Sequence, residues 1–317
     1  MRAPDSPSRF LRAFAAVALL VLGAVAAVNW LVDPFDRFGR NWTGVYISAE
    51  RETKATEVRR VPHDAVLLGN SKMALVNTAR IPGLRMYNAA FGGASLAEID
   101  AFARAYLGRE KVGGEKVAVI GLDLAQFGTP SPAPVAAVLR GGGWRDAAAY
   151  LLDARGIEYG WKSVWSRRLG KAPSLRADGS YDAAHWAPLT VPDPARTRSE
   201  LNRQAAELGA LVPSDAALDL LAGTVGELAR RGVAVRLFLL PVHPETAAAL
   251  RTLPDAAALA RLRATLAARF PGMVDLTDGP LSRAGNFFAA DPIHMTEPVA
   301  RAAVEEALGS GAVVPTN

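Results

Sequence analysis

The chain contains no cysteine among its 317 residues, and only four histidines. The first absence excludes disulfides, cysteine-ligated metals and a cysteine nucleophile, although many exported bacterial proteins also lack cysteine, so it does not fix the compartment. There is no HExxH pair, histidine cluster or acidic constellation for a metal, and no P-loop or Gly-x-Gly-x-x-Gly pattern. We therefore predict no metal and no cofactor.

The chain also lacks any run of basic residues. It has 36 Lys and Arg against 31 Asp and Glu, a formal charge of +5, and the arginines are scattered along its length. No stripe of alternating arginine and aromatic residues is present. Because dispersed charge is usually a solvated surface, we expect no nucleic-acid partner.

A long apolar segment lies near the N-terminus. Residues Ala13 to Val32 carry no charge, and twenty residues at helical rise span a bilayer core of about 30 Å. Arginines precede this segment and aspartates follow it, so the positive-inside rule places residues 1–12 in the cytoplasm and residues 33–317 outside. We expect a single-pass protein of the bacterial inner membrane with its main domain in the periplasm.

Two other interpretations of this segment exist. A buried core helix has a similar composition, but this segment is unusually long and uncharged. A signal peptide cleaved after Ala24-Val25-Ala26 is the stronger rival. The apolar run continues past that site for several residues, which favours retention of the anchor.

The rest of the chain alternates between apolar runs and amphipathic stretches. This pattern predicts an α/β fold, a three-layer α/β/α sandwich whose central parallel sheet has about five strands. Residues of about 127–213 interrupt the alternation, are rich in proline and glycine, and hold four of the six tryptophans. We interpret them as an insertion in a single domain, of a kind that often shapes substrate access. Expected strands are 65–69, 85–91, 116–124, 233–242 and 273–276, and expected helices are 95–107, 214–231, 255–270 and 297–308.

Three residues supply the parts of a nucleophilic serine site. Ser71 follows an apolar strand and a Gly-x-Ser turn, while Asp291 and His294 lie three residues apart near the other end of the chain. A hydroxyl, a general base and an orienting carboxylate form a catalytic triad when the fold unites them. We expect the Ser71 and His294 side chains to approach to about 2.6–3.5 Å. Taken singly, the serine is also compatible with a helix cap and the histidine with a surface position.

These motifs, in this order, resemble the SGNH hydrolase superfamily of GDSL-like esterases and acyltransferases. Gly69-Asn70-Ser71 is similar to its Gly-Asp-Ser block, and Asp291-Pro292-Ile293-His294 matches its Asp-x-x-His block. The resemblance runs from about residue 64 to residue 309, without the insertion. More narrowly, the chain looks like membrane-anchored extracytoplasmic members linked to polysaccharide O-acetylation. The resemblance implies that Ser71 is the nucleophile, His294 the base and Asp291 its orienting partner.

Two further blocks bear on the oxyanion hole. The resemblance implies that the backbone N–H groups of Ser71 and Gly93 line it, where a glycine lets the backbone approach a developing charge. In the third block, where the family has Gly-x-Asn-Asp, this chain has Gly121-Leu122-Asp123-Leu124, so the third donor is missing. Another group then completes the hole, or the enzyme is slow, or the site is degenerate.

Three more residues are candidates for substrate binding. Asn88 opens the second block, Asp123 falls near the position of the missing donor, and His243 follows the fourth strand at the edge where α/β sheets bind ligands. For His243, a structural role in a loop is an equal alternative.

The leading hypothesis is serine-dependent acyl transfer or ester hydrolysis on a cell-surface or exported polysaccharide. Hydrolase and transferase share one triad, so the sequence leaves both open, and a membrane-bound acyl-transfer partner is part of the transferase hypothesis. The alternative is a non-catalytic glycan-binding or assembly subunit on a degenerate SGNH scaffold. A lipase-like esterase acting near the bilayer is a third hypothesis, which only the anchor suggests.

Overall fold

The computed structural model describes residues 7–46, 50–108, 116–129, 135, 139, 143–171, 173–252 and 256–313. Contacts divide the chain into two compact units. One comprises Met1–Thr53 with Gly141–Ser174, and the other comprises Lys54–Arg140 with Leu175–Asn317. This division differs from the single domain expected over 33–317, because the first part of the insertion belongs with the N-terminal helix. We call the two the helical unit and the sheet unit.

The helical unit is built on helix α1, Pro7–Val32, which begins before the expected apolar segment. Its Ser8–Val32 stretch is long and apolar enough to cross a membrane, and none of its most apolar window is buried. Helices α5 (Trp144–Leu151) and α6 (Ala154–Arg168) pack against it. Helix α2 (Glu50–Arg60) begins in this unit and ends in the sheet unit.

A tight loop after α1 is organised by the buried carboxylate of Asp33. This residue has a positive φ of 46° and accepts hydrogen bonds from the backbone N–H groups of Arg37, Phe38 and Arg40 at 2.8 to 3.0 Å. It also accepts a bond of 2.8 Å from the Tyr150 hydroxyl of α5. Burial and the Asp33 carboxylate raise the pKa of Tyr150. The hydroxyl therefore stays a donor at neutral pH and holds the loop on α5.

The sheet unit confirms the predicted α/β fold. Its five strands are all parallel and lie in the order β2-β1-β3-β4-β5. Every residue of β1 is buried, as an apolar strand covered on both faces requires. The bounds are β1 Ala65–Leu68, β2 Met86–Asn88, β3 Lys116–Leu122, β4 Val233–Leu239 and β5 Val274–Asp275.

Helices cover both faces of this sheet. Helices α4 (Leu96–Leu107) and α9 (Asp215–Arg230) contribute to the core on one face, and α12 (Glu297–Gly309) contributes to the core on the other. An antiparallel pair that the sequence did not predict, β6 Phe287–Phe288 with β7 Asp291–Met295, precedes α12. The remaining helices are α3 Ser71–Ala74, α7 Ala183–Trp186, α8 Pro194–Gly209, α10 Pro244–Thr252 and α11 Ala256–Arg269.

Candidate active site

Ser71 follows strand β1 at a turn in which two glycines are required by space. A Cβ on Gly69 would lie 3.0 Å from the carbonyl oxygen of Gly121, and a Cβ on Gly121 would lie 2.9 Å from both Met73 and Phe238. The distance at Gly121 is one that real Cβ atoms essentially never show, and the distance at Gly69 is tighter than nine in ten real Cβ contacts. The glycines thus let β1, β3 and the start of α3 meet, and Ser71 opens α3 directly beyond the sheet edge.

The structure brings the three predicted triad residues together. His294 Nε2 lies 2.8 Å from Ser71 Oγ, across 223 positions of sequence. Its Nδ1 lies 3.0 Å from Asp291 Oδ1, although this contact is not aligned as a hydrogen bond. Loose alignment of this kind is common in free enzymes and tightens when substrate binds. The hairpin of β6 and β7 carries both Asp291 and His294, so it sets their spacing.

The environment keeps Asp291 ionised. Burial raises its pKa, but the His294 imidazole, the Ile293 backbone N–H and Arg196 lower it by more, so the net pKa is below the ordinary value. The carboxylate therefore remains negative at neutral pH. A negative group beside Nδ1 favours the tautomer with its proton on Nδ1, which leaves Nε2 free to accept the serine proton.

Gly93 and Asn88, the two candidate residues of the second block, lie in different environments. Gly93 lines the same cavity as Ser71 and has a positive φ of 66°, which suits glycine. The expectation that Asn88 binds substrate is not supported, because its side chain is fully buried and lies outside the described cavity lining. Its amide donates to the carbonyls of the α3 turn at Met73, Ala74 and Val76, and accepts from the N–H of residue 90. Asn88 thus joins the serine turn to the glycine loop.

Asp123 lines the cavity, but its side chain cannot serve as a third oxyanion donor. Its carboxylate forms a 2.5 Å ion pair with Lys72 and accepts from Asn70 Nδ2 at 3.1 Å. It also caps the 3₁₀ turn that follows β3, accepting from Ala125 N at 3.2 Å. Burial raises its pKa, yet Lys72, Ala125 and Asn70 together lower it on balance, so Asp123 is an anion and an acceptor.

A cavity of about 450 Å³ opens over Ser71 and His294. Part of its wall comes from α8, within the insertion, through Arg203, Gln204 and Glu207. The Gln204 side chain is held by Thr246, whose hydroxyl donates to its Oε1 at 2.9 Å in a buried contact. This bond holds the Gln204 side chain in one position in the wall of the cavity.

Trp186, also from the insertion, packs against the candidate base. Its ring centroid lies 4.8 Å from that of His294, with the planes inclined at 56°. Phe288 stacks on Trp186 at 5.8 Å, and Tyr181 at 6.2 Å, so the indole is held in place. A tryptophan at this distance attracts a protonated imidazole. Sequence reasoning missed Trp186 and Gln204, because nothing in the irregular insertion indicates which residues fold back over the sheet edge.

His243 is not among the described residues that line this cavity. It is buried at the start of α10, where its Nδ1 accepts from Glu245 N at 3.3 Å, and its ring packs edge-on against Phe287. Burial lowers its pKa, so it is neutral and able to accept that bond. Of its two predicted roles, the structural one fits these contacts.

Comparison with known proteins adds no identification. No protein-family model matches the chain, and no curated protein is significantly similar to it. Within the described residues, no group of three or more acidic or histidine side chains is placed to hold a metal ion.

Proposed function

We propose that the chain is a serine-dependent acyl-transfer enzyme of the SGNH type, anchored in the inner membrane and acting on O-acyl groups of a polysaccharide in the periplasm. The observation that carries this proposal is the 2.8 Å approach of Ser71 Oγ to His294 Nε2, with Asp291 on the other ring nitrogen. Ser71 and His294 both line one cavity, and a hydroxyl in contact with an imidazole that has a carboxylate on its other side is the arrangement that serine-dependent acyl transfer uses.

The reaction follows from the positions of these groups. Ser71 Oγ attacks the ester carbonyl carbon while its proton passes to His294 Nε2, and the oxyanion that forms accepts N–H bonds from Ser71 and Gly93. When the carbonyl reforms, the bond to the leaving alcohol breaks and the alcohol takes the proton from His294. Water or a sugar hydroxyl then attacks the acyl-serine, losing its proton to the same nitrogen. The bond between the acyl carbon and Ser71 Oγ breaks as the carbonyl reforms again, and Ser71 Oγ takes the proton back from His294. Water gives hydrolysis and a sugar hydroxyl gives transfer.

The cavity favours a small acyl group on a polar carrier. Its wall combines the hydroxyl of Ser95 and the amide of Gln204 with the short apolar side chains of Ala94, Ala125 and Leu208. Hydroxyl and amide groups match the alternating donors and acceptors of a sugar. At about 450 Å³ the cavity is within the range of small-molecule sites. These features support an acetylated sugar in preference to a long-chain lipid ester.

The second candidate function is a non-catalytic glycan-binding or assembly subunit. One observation favours it: the side chain at the third block is a buried anion committed to Lys72, so it gives the oxyanion no donor. Loss of a single donor lowers the rate by about 10²–10³-fold. A site with only two backbone donors is therefore either a slow enzyme or a binding site.

Covalent labelling separates the two functions. A fluorophosphonate should label the full chain at Ser71, and neither Ser71→Ala nor His294→Ala should label or hydrolyse an activated acetyl ester. Ser95→Ala is the matched control, since it removes a second hydroxyl from the same cavity and should keep the label. If the unaltered protein binds a glycan but never labels, the binding subunit replaces the enzyme.

A further inference from the structure

The tryptophans are distributed unevenly between the two units. Five of the six lie in the helical unit, and the sixth is Trp186 beside the candidate base. In α5, α6 and the residues that flank them, large apolar side chains point to solvent. We call this set the aromatic surface; it consists of Trp144, Leu152, Ile157, Trp161, Trp165 and Leu169, all of them exposed.

The helices that carry the aromatic surface are hydrogen-bonded to the end of α1. Asn29 lies in the last turn of α1, fully buried, and its Nδ2 donates to the carbonyls of Tyr150, Leu151 and Asp153 at 2.9 to 3.3 Å. Tyr150 and Leu151 end α5 and Asp153 is the N-cap of α6, so Asn29 binds the turn that joins the two helices. Asn29, the polar side chain of the uncharged Ala13–Val32 stretch, thus fixes the position at which the turn between α5 and α6 contacts α1.

The side of α6 that faces α1 consists of small residues, which let α6 pack closely against the last turn of α1. Gly156 faces Asn29, and a Cβ there would lie 2.4 Å from Asn29 Oδ1; Gly160 faces Val32. Ser163, one turn further, donates from its buried hydroxyl to Val45 O at 2.8 Å. Because small buried residues occupy this side, the large ones are left on the outside of α6. Trp161 and Trp165, four positions apart, stack there with centroids 5.9 Å apart.

The length of α1 gives the depth of this attachment. The twenty uncharged residues that end at Val32 cover about 30 Å of hydrocarbon, so the Asn29–Val32 turn falls at the boundary with the headgroups. Tryptophan is enriched at that boundary. Residues 143–171 also carry six basic and three acidic side chains, an excess that suits anionic headgroups.

We propose that the aromatic surface binds the headgroup region of the bilayer that α1 enters. The helical unit then contacts the membrane in two ways, through the α1 span and through the aromatic surface. The occupant is lipid with anionic headgroups. Trp161 and Trp165, exposed on the helix whose Gly160 faces Val32 at the end of the span, carry this inference together with the basic excess. It rests on the membrane anchor of the proposed function.

Spin labelling tests the proposal on the full chain, which is convenient because it has no native cysteine. Trp144→Cys and Trp161→Cys label two sites of the surface that are 76% and 67% exposed, one at a time. Leu20→Cys, at a site 73% exposed within α1, reports on the span. Val212→Cys is the matched control, an apolar side chain 79% exposed in the sheet unit.

The variants are placed in vesicles of phosphatidylcholine with phosphatidylglycerol. Collisions of each label with oxygen, which concentrates in lipid, are compared with collisions with a water-soluble nickel chelate. We expect the oxygen-to-nickel ratio at the Trp144 and Trp161 sites to exceed that at the Val212 site severalfold, and the Leu20 site to give a higher ratio still.

Each other outcome overturns the proposal in a different way. A ratio at the tryptophan sites equal to that at Val212, with Leu20 still in lipid, removes the membrane contact of the aromatic surface and leaves the anchor standing. Labels shielded from both oxygen and nickel mean that protein covers the surface, either a partner or a second copy. A water-exposed Leu20 label removes both the anchor and the membrane contact of the aromatic surface, whatever the activity of the sheet unit.

Discussion

The buried pair of Lys72 and Asp123 gives the sharpest test of how this site is held. The two side chains are 7% and 11% exposed and meet at 2.5 Å. Asp123→Asn removes the charge while preserving a side-chain oxygen to cap Ala125. Removing one partner of a buried pair typically costs about 3–5 kcal/mol, because the other charge is left without compensation. We therefore expect the variant to be less stable and less active, not more active.

The loss of stability in Asp123→Asn can be measured by thermal unfolding of the full chain in detergent. At about 2–4 °C per kcal/mol for a unit of this size, the loss is a Tm decrease of about 6–20 °C in the sheet unit. Lys72→Met combined with Asp123→Asn removes both charges. The double variant should therefore recover most of the Tm, since replacing a whole buried pair by neutral groups is often nearly neutral.

The same pair predicts the sign of a pH effect. The pKa of Asp123 is lower in the folded protein than in the unfolded chain, so its contribution to stability is complete above the unfolded value of about 3.9. The contribution is lost as the pH falls through the folded value, and Asp123→Asn should flatten the acid limb of the stability curve. An unchanged Tm, or a higher turnover of acetyl ester in Asp123→Asn, would refute this account of the third block.

Three further results are expected. Trp186→Leu should lower kcat about two- to thirtyfold, since a tryptophan–cation contact contributes about 0.5–2 kcal/mol, while Trp186→Phe retains part of the rate and steady-state kinetics distinguish the two. Gly156→Ala should destabilise the helical unit by about 1–3 kcal/mol in denaturant unfolding, because its Cβ would meet Asn29. The control Gly223→Ala, with open space around the new Cβ, should be neutral or stabilising. Equal effects of the two substitutions would contradict the described packing of Gly156. Asn88→Leu should cost about 2 kcal/mol or more by chemical denaturation, because Val76 O and Ala90 N lose their partner at about 1–3 kcal/mol each, whereas Met73 O and Ala74 O keep backbone donors; a loss below about 1 kcal/mol would remove its role.

The sheet and the triad could be predicted from sequence because their signals are local. Apolar runs mark β1, β3 and β4, and short motifs mark Ser71 and His294. The ion pair of Asp123 with Lys72 joins segments that are distant in sequence, so only the strand order could have predicted it. Lys72 follows β1 and Asp123 follows β3, and these strands are neighbours, so their carboxyl ends meet.

The structure of the insertion was harder to predict from the sequence, for a physical reason. In α6 the usual pattern is reversed, because this helix buries glycine and serine and exposes tryptophan. Hydrophobic periodicity assigns large apolar residues to the buried face, so it selects the wrong face of such a helix. The division of residues 127–213 between two units could not be anticipated from composition for this reason.

The order in which the candidate site is synthesised has a consequence for its regulation in time. The serine of the pair joined at 2.8 Å is made 223 residues before the histidine, and the hairpin with Asp291 and His294 comes after all five strands of the central sheet. During synthesis the serine can therefore reach its turn before its partner histidine exists. Under the proposed function, the chain is inert toward esters until the hairpin of β6 and β7 docks, so acyl transfer starts only once the whole sheet unit has been made.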